Sequence, residues 1–278
     1  MTADVIASPR APEIRPMSRD DIQEALRLGI ADFRSAPRFG LFFGGVYAVA
    51  GIVIFLQLLV WEQPLWFVPL VFAFPIIGPF VAIGLYEVSR RLEVGESLDW
   101  SEVLGVVWRQ RTAQLPYLAF VVLAGFMIWI WFARLMIALF LGRMEFATYS
   151  DLWQLLSQPQ GLMMLAVGTV VGAIIAFVIF SVTAVSLPLL LERDIDFVTA
   201  MITSWNAVLM NPAVMLSWAV IIAGILFVAM LPAFLGLIVA LPILGHATWH
   251  VYRRAVIPPD AAPVGPEGTR SAGDEVTL

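Results

Sequence analysis

The chain has 278 residues, 60% of them apolar and 13% charged, with a net charge of −5. A soluble domain carries about 25% charged residues, and a mean hydropathy of +0.89 leaves too little polar surface for an ordinary soluble globule. A transmembrane β-barrel is excluded as well, because its strands would alternate apolar and polar over about ten residues, whereas the apolar stretches here are continuous.

In chain order, residues 1–19 hold three Pro, three Arg and no long apolar run. They read as a loose tail, and nothing in them resembles a signal peptide. A membrane domain is expected over 20–257. It holds six apolar spans, at about 40–61, 65–89, 115–141, 161–191, 213–231 and 232–250. Each meets or nearly meets the ~20 residues that cross a hydrocarbon core. The fourth is long and should tilt or protrude, and Pro232 is the expected hinge between the last two. Residues 258–278 form a second Pro/Gly/acid-rich tail. The predicted fold class is therefore all-α, a polytopic membrane protein with six transmembrane helices.

Arginine placement predicts the orientation. Arg10, Arg15, Arg19, Arg27, Arg34 and Arg38 precede the first span, and Arg90, Arg91, Arg109 and Arg111 lie between the second and third. Arg193 follows the fourth, and Arg253, Arg254 and Arg270 follow the sixth. Arg143 alone occupies a loop on the other side. The positive-inside rule puts both termini in the cytoplasm. Trp61, Trp66, Trp129, Trp131 and Trp153 suit the outer interface, and Trp100, Trp108, Trp205 and Trp249 the inner one.

A short amphipathic helix precedes each pair of spans. It runs from Asp21 to Pro37, from Asp99 to Pro116 and from Asp196 to Pro212, with Asp and Pro sixteen, seventeen and sixteen residues apart. Apolar positions align as Ile22, Trp100, Phe197, then Leu26, Leu104, Met201, then Ile30, Trp108, Trp205, a stripe at i, i+4, i+8. Each Asp stands where a helix cap or first-turn acid belongs. Pro79 to Arg90 and Pro242 to Arg253 are both eleven apart. The organisation expected is three parallel repeats, at 20–91, 98–193 and 195–254, each an interfacial helix plus a helical hairpin.

Candidate sites are few. Zero Cys removes disulfides, iron–sulfur clusters and thiolate chemistry, and all 16 basic residues are Arg, which removes Schiff-base and P-loop chemistry. His246 and His250, four apart on one helix face, are candidate metal ligands, with Glu87 or Glu192 as the third donor. The competing reading puts them in an interfacial belt with Trp249, Tyr252, Arg253 and Arg254. A bis-His haem is excluded, since one helix face cannot reach both sides of a porphyrin. Arg134, inside the third span, snorkels outward, forms a structural pair or marks a site. Glu87 is in reach of Arg90 and Arg91 at i+3 and i+4, a structural pairing, with a gate or proton site as the other reading. Gln57, Ser181, Thr183 and Ser186 are weak substrate-site material. Gly168 and Gly172 form a small-xxx-small pair for close helix packing, and Pro75, Pro79, Pro188 and Pro242 are candidate kinks. With no nucleophile–base pair, phosphate loop or paired carboxylates in the spans, the chain is expected to be non-enzymatic and to need no cofactor.

GLYEVSRRLEVGE (84–96), LGHATWHVYRR (244–254) and the Asp-to-Pro helix at 196–212 resemble an uncharacterised family of bacterial integral membrane proteins, a domain of unknown function. The resemblance runs from about 17 to 256. It implies a proteobacterial inner-membrane protein, and it supplies no catalytic residues. Members are often labelled cytochrome c oxidase subunit I-like, but two histidines cannot supply that enzyme's haem and copper ligands. The expected partners are the bilayer and another membrane complex, a respiratory enzyme among the possibilities; nucleic acid is not one. The functional expectation is a structural, accessory or assembly component, with a transporter or channel for a small or lipophilic solute as the alternative.

Overall fold

In a computed structural model the described residues are 12–59, 64–110, 113–142 and 157–258, with backbone alone for 57–59 and 64–74. Most of them are helical, with no strand among them. Trp61, Trp153, Arg10, Arg111, Arg143, Arg270 and the Gln57 and Trp66 side chains lie outside the described set.

The first surface helix, α1 (Arg19–Ser35), opens on a capping box. Ser18 caps the Asp21 N–H, and the Asp21 carboxylate accepts from the Ser18 N–H at 2.8 Å. Helix α2 (Pro37–Leu59) starts on Pro, whose missing N–H costs nothing at a first turn. Helix α3 (Pro64–Val94) runs 31 residues and stops at Gly95, whose φ of +71° suits glycine. Helix α4 (Trp100–Gln110) follows, then α5 (Leu115–Leu141).

The expected fourth span is not one continuous helix. It divides into α6 (Pro159–Thr183) and α7 (Ser186–Glu192). Pro188 has no N–H to bond Ala184, and the Val185 N–H leaves the ladder to bond Ser204 Oγ at 3.1 Å. Helix α8 (Phe197–Met210) is capped by Asp196, and α9 (Pro212–Met230) and α10 (Leu237–Ala255) complete the order. The hinge at Pro232 is a turn in which Ala233 and Phe234 take φ of +48° and +67°.

Four segments are long and apolar enough to cross a membrane: Pro37–Leu56, Leu115–Leu141, Pro159–Glu192 and Pro212–Met230. The protein is thus a helical integral membrane protein. Helix α10 is central, with α1, α2, α3 and α9 packed on it. Glycines allow the close approach: a Cβ on Gly29 would stand 2.6 Å from the Ala247 nitrogen, and one on Gly44 2.5 Å from the Ile238 oxygen. The α5–α6 hairpin is peripheral. Only 6% of the apolar window of α5 and none of that of α6–α7 is buried, against 39% in α2.

The sequence stripe marks the packing face of the short helices in part: Ile22 is buried and Leu26, Trp100, Phe197 and Met201 pack on the core. Leu104, Trp108 and Trp205 are exposed, while the fourth residue after each Asp (Ala25, Val103, Ala200) is fully buried. The tail reading also needs correction for residues 12–18. Ile14 bridges Val256, Arg15 N donates to Ala255 O at 3.0 Å, and Ile257 N to Glu13 O at 2.9 Å. Both described ends therefore meet at one end of the bundle.

Candidate functional site

That end of the bundle gathers nearly all the paired charge. Helix α10 brings His246, Trp249, His250, Tyr252, Arg253 and Arg254; α3 brings Glu87, Ser89, Arg90, Arg91 and Glu93. Glu87, 1% exposed, accepts from Arg90 Nε at 2.9 Å and Arg91 Nε at 2.6 Å. Arg90 also reaches Glu96 at 2.8 Å, and Arg91 pairs with Glu102 of α4. Glu93 accepts from Trp249 Nε1 at 2.9 Å and Arg253 Nε at 3.0 Å. Glu192, at the end of α7, accepts from the Tyr252 hydroxyl and from Arg253 Nη1 at 2.6 Å. Arg254 faces Asp21 at 3.5 Å and Glu24 at 3.9 Å on α1. Exposed Glu24 is held below the usual carboxylate range first by its hydrogen bond from Arg27.

The histidines take separate partners. His250 Nε2 lies 2.8 Å from Asp32 Oδ2 of α1. His246 Nδ1 lies 2.8 Å from Ser89 Oγ, and its Nε2 is enclosed with no hydrogen-bond partner. Glu87 and Glu192, the expected third donors, are both taken by arginines. Among the described residues no three His, Asp or Glu side chains gather as a metal-holding set. Ser89 and His246 stand at a nucleophile–base distance that the sequence reading missed, but both are sealed at 0% exposure, out of reach of a substrate.

The two aromatic residues of this segment face protein. Trp249 and Tyr252 are 0% and 1% exposed, because α10 is the helix the others surround. Arg134 is exposed on α5 and has no partner among the described residues. Ser181, Thr183 and Ser186 turn their hydroxyls back to carbonyls of their own chain segment, Phe177, Ile179 and Val182. Of the glycine pair, Gly172 packs on Trp129 while Gly168 faces open space. Sequence reasoning also missed Asp32 and Glu93, which lie far from their partners in the chain and carry no local motif.

Residues 67–192 match the family described as predicted integral membrane protein (DUF2189). The chain is similar to that family over this stretch, which includes Glu87, Arg90, Arg91 and Glu192 but not α10 and its histidines. No curated protein and no solved structure matches the chain.

Proposed function

We propose that the chain is a six-crossing protein of a bacterial inner membrane, with both termini cytoplasmic, acting as a non-enzymatic structural, accessory or assembly component. The observation that carries this reading is the ion network. Arg and His from α3 and α10 meet the acids of α1, α3, α4 and α7. Charge near the membrane thus joins helices and lines no path for a polar solute.

The crossings are α2, α3, α5, α6 with α7, α9 and α10. Three parallel units follow, each a surface helix and a hairpin. The common burial of Ala25, Val103 and Ala200 supports this grouping. The bonds between 13–15 and 255–257 favour both termini on one side, and the arginine bias makes that side cytoplasmic. The bare α5–α6 hairpin offers an apolar flank to lipid or to a partner.

Affinity purification from native membranes tests the role. A stoichiometric partner is expected, and an isolated monomer would overturn the accessory reading. Reporters active only in the periplasm test the topology. Those fused after Arg254 should be silent and those within 143–155 active; the reverse pattern would overturn it.

A further inference from the structure

The α5–α6 hairpin carries a single charge. No residue of α5 or α6 is ionisable except Arg134. Arg134 is exposed and has no partner among the described residues. Around it α5 turns outward Ile128, Trp131 and Leu135, which are 59%, 74% and 50% exposed. A bare apolar face thus holds one unmet cation. A charge on a membrane-spanning helix is costly until it is paired, and the complement of a guanidinium is an anion.

Lipid meets only half of what this face needs. Residues 135–141 are all apolar and lie between Arg134 and the end of α5. If they stand in hydrocarbon, Arg134 lies about 10 Å inside it at the helical rise. Helical side chains lean toward the N-terminus, so Arg134 leans away from the phosphates at that end. If Arg134 is instead level with the phosphates, Leu135, Ile137 and Leu139 stand beyond them in water, although they are 50%, 44% and 67% exposed. A second copy of the chain does not supply the anion either. Among the described residues, the acids of the crossing helices are Glu87, Glu93 and Glu192, all paired with arginines in the ion network. Helix α5 starts beside that network, since α4 just before it pairs with Arg91 through Glu102. Arg134 is roughly 28 Å further along α5.

We propose that this face of α5 docks a membrane-spanning helix of a different protein, with an Asp or Glu carboxylate opposite Arg134. The planar guanidinium takes a carboxylate by two parallel N–H···O bonds, and the apolar surroundings strengthen the pair. Apolar residues of the same helix cover Trp131, Leu135 and Leu139. One partner therefore meets both needs. The inference rests on the accessory reading and names the chemistry of the partner.

The full chain would be photo-crosslinked in native membranes with Trp131→p-benzoylphenylalanine. The same probe at Val220, 62% exposed on α9, is the control. One protein should crosslink from position 131 and not from 220, at a segment with an Asp or Glu within one helical turn. Arg134→Gln and, independently, Arg134→Leu should lower that adduct about tenfold or more, the scale for truncating one side of an enclosed charge pair. Changing the partner's acid to its amide should do the same. The amount of chain in the membrane should stay constant, because Arg134 holds nothing within the chain. An adduct of two copies of this chain, an adduct with phospholipid alone, a crosslinked segment without an acid, or a protein adduct undiminished in the Arg134 variants overturns the docking proposal. The accessory reading survives each of these if affinity purification still yields a stoichiometric partner. A chain that purifies alone overturns both.

Discussion

The Ser204 hydroxyl stands inside the hydrogen bond that would otherwise carry the helix through Val185. It accepts from Val185 N at 3.1 Å and donates to Ser181 O at 2.8 Å, the two groups an unbroken helix would join directly. All three residues are buried. Removing the hydroxyl in Ser204→Ala leaves both backbone groups unmet unless α6 and α7 straighten into one helix. The expected cost is about 1–3 kcal/mol, read as a lower Tm in detergent. An unchanged Tm would mean the break closes freely.

The same site explains part of what was legible in the sequence. Pro188 announced a disturbance, but Ser204 lies on another helix and no local pattern points to it. The three surface helices were readable from the Asp caps and the prolines, because capping chemistry is local. Their buried faces were legible only in part, through Ile22, Leu26, Trp100, Phe197 and Met201. In a lipid solvent, large apolar residues such as Trp108 and Trp205 are as content outside as inside, so a stripe of them does not mark the packing face. The small residues do: Ala25 and Ala200 are fully buried, and Gly29 and Gly44 sit where a neighbouring backbone comes close. For the same reason Trp249 read as an interfacial residue although it is enclosed. Glu87 and its arginines were readable because their spacing is local. The His246–Ser89 and His250–Asp32 contacts span 157 and 218 residues and were invisible.

Adjacent glycines in α2 separate packing from propensity. A Cβ on Gly44 would stand 2.5 Å from Ile238 O, the carbonyl that Pro242 leaves free, whereas one on Gly45 meets nothing within 4 Å. Gly44→Ala should therefore lower stability by about 1–3 kcal/mol. Gly45→Ala should be neutral or stabilising by up to about 1 kcal/mol. Thermal unfolding of the two variants checks this, and equal effects would refute close packing of α2 on α10.

Acid should weaken the surface-helix caps. Hydrogen bonds from Thr199, its hydroxyl first, hold the Asp196 carboxyl below its ordinary value of 3.8, and those from Ser101 do the same for Asp99. A depressed carboxyl stabilises the fold fully above its unfolded value and stops doing so as pH falls through the folded one. The Tm gap between the native chain and Asp196→Ala should thus be constant above about pH 5 and shrink below about pH 4. A gap that widens on acidification would contradict the cap.

Glu87 is the acid on which the α3 end of the network turns. It is 1% exposed, while its partners Arg90 and Arg91 are 26% and 11% exposed. Taking away one member of a fully enclosed ion pair costs about 3–5 kcal/mol, because the remaining charge is stranded. Here both guanidinium groups stay partly wetted and keep Glu96 and Glu102 as second partners. Glu87→Gln should therefore cost less, about 2–3 kcal/mol. Glu96→Gln, at a half-exposed site, should cost at most about 1 kcal/mol. The pair can also be removed together. If stranded charge is the cause, Glu87→Leu with Arg91→Met should be milder than Glu87→Leu alone, since the double change leaves one fewer buried charge unmet. Unfolding curves of the four variants in one detergent decide it. A double variant worse than the single would show that the side chains act by packing and not by charge.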